Sequence, residues 1–421
     1  MTSSTECYVY IALPGQTDFV TAGRFSLEKD RQGAPVGRFV YGRNYLARED
    51  AVPIDPFELK LDGRTYENRR LNGVFGALRD ASPDYWGRRI IEKYAGVAEL
   101  EELDYLLHSA DDRAGALGFG LGREPPAPRR KFNRTMDLEK LQAIADAVIE
   151  DKDLPDDPDA QQAYELLGGT SIGGARPKTV VEDDEGLWIA KFNRADDRWN
   201  HARIEHAMLF LARRCGIHAA ESRVTRIGDR DALLVRRFDR QKTEAGYRRA
   251  RMLSALTLLR ADENERDRWS YVVLAEELRR LSSLPLDDAK ELYRRMVFNA
   301  LISNTDDHPR NHAVIALSED WKLSPAYDLT PSSPPSQERR DLALVCGDEG
   351  RYANASNLLS QCERFQVKRD EAITLMAEME QTVRAHWHAS ARACGVSEQD
   401  CERLSGAFAY PGFRIGWETV A

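Results

Sequence analysis

The stretch Leu301–Ile315 reads LISNTDDHPRNHAVI and gathers Asp306, Asp307, His308, Asn311 and His312 between two apolar runs. Carboxylates and an amide at this density suit phosphoryl transfer. That reaction asks for an acid to orient or deprotonate the accepting hydroxyl, oxygen ligands to hold Mg2+ against the phosphates, and a lysine to grip the phosphates. Magnesium takes hard oxygen donors, so Asp and Asn are the right residue types. Asp306 and Asn311 have the Asp-x-x-x-x-Asn spacing of a protein-kinase catalytic loop. A further acid, Asp328, follows in LSPAYDLTP.

Upstream, Lys191 closes the run LWIAKF, and the glycine-rich stretch GGTSIGGARPK (Gly168–Lys178) precedes it. Glycines let backbone N–H groups approach phosphates closely. This is not a Walker A loop, because Ala175 stands after Gly174 where that motif requires Lys. It also lacks the G-x-G-x-x-G of protein kinases. Taken singly, each feature has a plainer reading. Asp306, Asp307 and Asn311 suit turns or helix caps. Lys191 suits a strand end, Asp328 a turn, and the glycines a hairpin approach. His308 and His312 are spaced as zinc ligands on a helix, but Pro309 opposes a helix there. The order Gly-rich stretch, Lys, helix, Asp, Asn, Asp is what favours the chemistry over four coincidences.

Those residues need elements to hold them. Residues 7–41 alternate apolar and polar in short runs punctuated by Gly and Pro, which predicts antiparallel strands. From Asn72 to about Leu107 the pattern is helical. Within it SPDYWGRRIIEKYAG predicts a helix with Ser82 as N-cap, Pro83 at the first helical position and a stop at Gly96. REPPAPRRKFNR is a connector, DLEKLQAIADAVIED an amphipathic helix and DKDLPDDPDA an acidic loop. KTVVED and LWIAKFN flank DDEG as a hairpin with Lys191 at its exit. WNHARIEHAMLFLARRCG predicts a helix ending at Gly216. RVTRIG and DALLVRRFDR predict a second hairpin. From about Arg249 onward helical patterns dominate. HAVIAL and WKLSPAYDLTP flank the turn SEDW, and a helix from about Lys368 to Cys394 follows. Strands first and helices later predict an α+β, bilobal chain.

Composition sets the outer limits. A chain of 421 residues with 42% hydrophobic and 31% charged residues can bury a large core. A net charge of -9 argues against general nucleic-acid binding, which needs a basic surface. The six cysteines are far apart with no CxxC, which predicts reduced thiols in the cytoplasm. No apolar run reaches the length of a membrane span, and the N-terminal residues do not read as a signal peptide.

Taken together, these segments resemble the HipA family of bacterial serine/threonine kinases, the toxin half of toxin–antitoxin pairs. SIGGARPK resembles the family's Ser-x-x-Gly-x-x-x-Lys phosphate loop, LLVRRFDR its RFDR strand, NTDDHPRN its catalytic loop and LSPAYDL its metal motif. FGALRDASPDYWGRR and LDYLLHSADDRAGALGFG resemble family N-terminal segments, so the resemblance covers nearly the whole chain. It implies a protein-kinase-like fold with a β-rich N-terminal lobe and a mainly helical C-terminal lobe. The implied divisions are an N-terminal subdomain over 1–130, a nucleotide-binding part over 131–245 and a helical lobe over 246–421.

The resemblance also implies roles. Asp306 would be the catalytic base, and Asn311 and Asp328 would hold Mg2+. Lys191 would contact the ATP phosphates, steadied by Glu205. Ser171, Gly173, Gly174 and Lys178 would belong to the phosphate loop, and Arg236 and Phe238 to the nucleotide site. Ser171 would be the autophosphorylation site, with Thr170 as the alternative acceptor; added phosphate charge there would repel ATP. Arg236 departs from family members that carry Glu near the adenine, and RMLSALTLL departs from members with a Gln- and acid-containing motif.

The implied activity is phosphorylation of a cellular protein, with aminoacyl-tRNA synthetases as the family precedent. The implied partner is a helix-turn-helix antitoxin of HipB type, with DNA bound through that partner. Two other readings stand beside it. One is a small-molecule phosphotransferase with an H-G-D-x-x-x-x-N loop, against which Thr305 stands where Gly is expected. The other is a corepressor module without chemistry, which would predict a lost base or metal ligand.

Overall fold

The computed structural model describes residues 5–95, 100–109, 111–128, 132–134, 137–152, 176–332 and 336–417. Thr170, Ser171, Gly173, Gly174 and the expected stop at Gly96 lie outside these residues. The chain forms two compact units. The first comprises Met1–Phe192, Arg236–Leu253 and Ile315–Asp320, the second Asn193–Val235, Ser254–Val314 and Trp321–Ala421.

The first unit opens with strands β1 (Glu6–Ala12), β2 (Phe19–Lys29), β3 (Pro35–Tyr41), β4 (Tyr66–Asn68) and β5 (Leu117–Gly120). They form an antiparallel sheet in the order β4-β3-β2-β1-β5, so the antiparallel strands expected over residues 7–41 are present. The alternation works because one face buries Val9, Ile11, Phe25 and Phe39. A close crossing replaces a side chain at one point. A Cβ on Gly37 would meet the carbonyl oxygen of Gly73 at 1.8 Å, so only glycine fits.

Helices Gly76–Asp80, Tyr85–Ala95 and Glu102–His108 follow β4. The expected cap is corrected here. The helix begins at Tyr85, and Asp84, not Ser82, accepts the Gly87 N–H at 2.8 Å. Carboxylate and hydroxyl are both good N-caps, and the chain uses the one beyond the proline. The amphipathic helix is Leu138–Ile149, with Leu141, Ala145 and Val148 buried. Next come β6 (Asn133–Arg134), β7 (Lys178–Asp183) and β8 (Gly186–Phe192); β6 runs parallel to β7, and β7 and β8 form the expected hairpin.

A second correction concerns the residues before and after Arg249. Arg251–Ser254 is a strand where the sequence pattern led to helix, and ahead of it Arg240–Thr243 and Gly246–Arg249 form a hairpin that the sequence reading did not include. That hairpin is mostly solvent-facing, so it carries no apolar alternation. It is fastened by Tyr247, whose hydroxyl donates to Glu182 at 2.8 Å.

The second unit holds the hairpin Ser222–Ile227/Arg230–Arg236 and the helices His201–Arg214, Tyr271–Leu281, Pro285–Leu301 and Arg369–Ala393. The hairpin and the helices His201–Arg214 and Arg369–Ala393 lie where the sequence pattern puts them. Gly216 ends the first of these helices with φ +75°. Helix Pro285–Leu301 is its centre: Leu292, Tyr293, Met296, Val297, Phe298, Ala300 and Leu301 are all buried. From Arg295 to Leu301 this helix is buried on every side, which places its C-terminus deep in the unit, and there the candidate site begins. No helix among the described residues is long and apolar enough to cross a membrane.

Candidate active site

The central helix ends in a Schellman turn. The Ser303 N–H reaches the Ala300 carbonyl at 3.3 Å and the Asn304 N–H the Asn299 carbonyl at 2.8 Å. Ser303 takes the left-handed position usually given to glycine, with φ +54°, at a cost of about 1 kcal/mol. Its hydroxyl contacts the Ala407 carbonyl and the Arg340 guanidinium, and these contacts hold the turn.

Beyond the turn the two adjacent acids point to different surroundings. Asp306 is exposed, whereas Asp307 is 1% exposed. Asp307 Oδ2 accepts from the Tyr271 hydroxyl, from Asn299 Nδ2 at 2.8 Å and from His312 Nε2 at 2.6 Å. Asn304 donates in turn to Asn299 Oδ1 at 3.1 Å. Burial and then the Asp307 charge push the Tyr271 hydroxyl well above its ordinary pKa, so it stays a donor. This network fixes both ends of the loop. Sequence reasoning took Asp307 as a turn former and missed it as the hub. The available signal was Asn299, a polar residue inside the apolar run MVFNALI.

His308 is not a metal ligand in this arrangement. Its Nδ1 accepts the Arg310 N–H at 3.0 Å and so caps the short turn Pro309–Asn311. Its ring packs edge-on against Trp269, with centroids 4.4 Å apart. Arg310 is held by Glu263 at 2.8 Å, and its carbonyl accepts the Tyr327 hydroxyl at 2.6 Å. That last bond ties the residue before Asp328 to the residue before Asn311. Thr305 Oγ1 reaches Ser332 Oγ at 2.9 Å on the far side of Asp328. Asp328 itself sits at φ +58°, an unusual conformation for a residue with a side chain.

Asp306, Asn311 and Asp328 are therefore brought together in one unit by named bonds. Partial desolvation and then the charge of Asp328 raise the Asp306 carboxyl above the ordinary range, and Arg266 opposes them. Two carboxylates close enough for one to shift the other, with an amide residue on the same loop, are the hard oxygen donor types a divalent cation takes. Asn311 and Asp328 are both half-buried.

Other sequence-selected residues fall elsewhere. Lys191 lies in β8 of the first unit, half-buried, and Lys178 stands directly across from it in β7. Glu205 is in helix His201–Arg214 of the second unit, and at 5% exposed it is not a surface residue. Arg236 is exposed and donates to the Glu185 carbonyl at 3.2 Å; Phe238 is half-buried. The RFDR residues form a buried ion network in the first unit. Arg237 is clasped between Asp112 and Asp239, the latter at 2.8 Å, and Arg240 reaches Asp239 at 2.7 Å. Burial pushes Asp239 up, but Arg237 and Arg240 outweigh it and hold the carboxyl far below the usual range.

The fold and the site thus define an α+β chain in two compact units, with an acid-and-amide loop after a buried helix. Comparison with known proteins places it further. The model of the HipA-like C-terminal domain matches residues 170–387, and that of the HipA N-terminal domain matches residues 19–120. The chain belongs to the HipA family.

A chain from the Shewanella oneidensis MR-1 toxin–antitoxin complex of HipA, HipB and operator DNA is similar in fold, with TM-score 0.70 at 18% identity over 95% of this chain and 94% of that one. The Helicobacter pylori proinflammatory kinase CtkA aligns with TM-score 0.42 and 14% identity over 56% of this chain and 87% of that one. A Haemophilus influenzae protein whose name proposes a kinase is 26% identical over 187 residues, 39% of this chain and 54% of that protein. The chain thus matches about half the length of that curated relative.

Proposed function

We propose that this chain is an ATP- and Mg2+-dependent serine/threonine protein kinase of HipA type. The observation that supports it most is the loop itself. An exposed Asp306 with a raised pKa stands beside Asn311 and Asp328, on a backbone locked by the buried Asp307 network. A base poised above the ordinary carboxylate range takes a proton more readily at neutral pH.

In this reading the Asp306 carboxylate orients the acceptor hydroxyl and takes its proton. Asn311 and Asp328 are the oxygen donors for Mg2+, which when bound neutralises phosphate charge. Lys191 grips the phosphates and Glu205 steadies the site from its helix. Arg236 and Phe238 flank the nucleotide. Ser171, with Gly173 and Gly174, belongs to the phosphate segment and is the autophosphorylation site that silences the enzyme. The division at 1–130, 131–245 and 246–421 follows the same reading.

The acceptor is a cellular protein, with an aminoacyl-tRNA synthetase as the class the family resemblance implies, and its modification inhibits growth in the cytoplasm. A helix-turn-helix antitoxin is the partner, by analogy with the Shewanella complex of HipA, HipB and operator DNA. DNA is reached through that partner, in keeping with the net charge of -9.

The test is intact mass after incubation with Mg2+ and ATP, beside Asp306→Asn. One added phosphate on Ser171, absent from the variant, is the expected result. Absence of transfer to this chain and to every protein of a lysate, from dephosphorylated enzyme, would overturn the reading.

A further inference from the structure

Arg340 is 3% exposed, yet among the described residues no carboxylate pairs with its guanidinium. A buried arginine is normally given one. Here every partner is neutral. Nε donates to the Ser336 carbonyl at 3.2 Å. One terminal nitrogen donates to the Ser303 hydroxyl and to the Ala407 carbonyl, the latter at 3.2 Å. The other donates to the Gly406 carbonyl at 2.8 Å, with Gln337 Oε1 at 3.5 Å. The guanidinium carbon lies 4.3 Å from the centroid of the Tyr410 ring, whose face favours a cation. Tyr410 is anchored in turn. Its hydroxyl donates to the Ala353 carbonyl at 2.9 Å, and the Ala353 N–H donates to the Arg340 carbonyl at 2.8 Å. The buried charge thus fastens residues 406–410 to Ser303.

Ser303 is the joint between that clamp and the candidate site. On one side its hydroxyl donates to the Ala407 carbonyl, and nearby the Ala409 N–H donates to the Leu301 carbonyl at 2.6 Å. On the other side its carbonyl accepts two N–H groups, from Thr305 and from Ser332, both at 2.9 Å. Thr305 precedes Asp306, and Ser332 follows Asp328 by four residues. One peptide group therefore joins the two acid-bearing segments. It belongs to a residue at φ +54°, a conformation that a side chain disfavours and that its surroundings must hold in place.

We propose that Arg340 is a positioning residue for Asp306, acting through Ser303: together with the carbonyls of residues 406 and 407 it holds the peptide that sets the Asp306 segment against the Asp328 segment. The inference rests on the kinase reading only for what the positioned acids do, which is to transfer phosphate. Arg340→Met removes the fork and keeps an apolar stem over Tyr410. Ser303→Gly removes the hydroxyl that the fork grips, while glycine takes the positive φ without strain. The double variant Ser303→Gly/Arg340→Met removes both ends of the same contact.

The experiment has two readouts on the full chain. The first is the rate of phosphate gain by intact mass over a range of Mg2+-ATP concentrations. The second is amide hydrogen exchange at Thr305 and Ser332, with the central helix 285–301 as the reporter of global opening. A misplaced acid costs transfer rate without costing nucleotide binding, so the maximal rate should fall between about tenfold and a hundredfold in either single variant. The half-saturating ATP concentration should stay as in wild type. Exchange should quicken at Thr305 and Ser332 and not in the central helix. Because both changes break one contact, the double variant should be no slower than the slower single variant.

If Arg340→Met does not fold, Ser303→Gly carries the test. A folded Ser303→Gly with wild-type maximal rate and wild-type exchange at Thr305 and Ser332 would overturn the inference. So would rate losses that add in full in the double variant, because Arg340 would then act by another route. Exchange that quickens equally in the central helix would make Arg340 a residue of general stability and overturn it too. A wild type that gains no phosphate would remove the kinase reading, and the exchange pattern would still decide the role of Arg340.

Discussion

The two units treat buried and crowded charge in opposite ways. In the first, Arg237, Arg240, Asp112 and Asp239 are enclosed, and every charge meets its opposite. In the second, desolvation and then the charge of Asp328 raise the Asp306 carboxyl, and Arg266 only partly opposes them. The first arrangement makes a rigid framework, because removing any member exposes the rest to an unfavourable interior. The second leaves electrostatic tension that a cation or a proton can relieve.

The largest effect expected from breaking that comparison is at Asp306. Asp306→Asn should lower phosphate transfer by about a thousandfold or more, about 4 kcal/mol of barrier, in radiolabelled ATP assays. Its melting temperature should hold or rise slightly, because a repelled, exposed carboxylate has been neutralised.

Arg237→Met should do the reverse, costing about 3–5 kcal/mol of stability in urea unfolding, because it leaves Asp112 and Asp239 buried without their partner. Between these lies Asp307→Asn, in which the hub loses charge but keeps its shape. A loss of about 1–3 kcal/mol in stability is expected there, with a tenfold or smaller fall in transfer rate.

The smallest effects are shifts with pH. Because the Asp306 value is raised, the acid limb of kcat/KM should lie above the ordinary carboxylate value of about 4. Arg266→Gln removes the opposing cation and should move that limb further up. The framework behaves with the opposite sign. Asp239 is held below its unfolded value, so its contribution to stability is present above about pH 4 and is lost as pH falls toward the folded value. The stability gap between wild type and Asp239→Asn should therefore narrow on acidification.

How much of this was legible in the sequence follows from what each residue faces. The antiparallel strands of residues 7–41 and the hairpin bearing Lys191 are short apolar runs broken by turn residues, so their run-and-turn signals were readable. The hairpin 240–249 faces solvent and left no such signal. The helix start moved from Ser82 to Asp84 because two good caps flank one proline, and only packing chooses between them. Asp306, Asn311 and Asp328 were found by residue type and spacing. Asp307 was not, because its own neighbours read as a turn and the signal lay in Asn299, a polar residue inside an apolar run. The Glu205 side chain could equally have faced water on helical periodicity, and tertiary packing buried it.

The first unit draws on three separated stretches of chain. A ribosome makes Asp112 and Arg113 long before Arg237, Asp239 and Arg240 exist to meet them. The emerging N-terminal portion therefore carries charges whose interior places cannot yet be filled. Synthesis order delays completion of the ionic framework until well past the midpoint of translation, and the loop bearing Asp306 follows later still. A chain released early by a truncated message would hold neither a finished framework nor Asp306. That sequence of events leaves unfinished copies without their interior ion pairs and open to proteolysis.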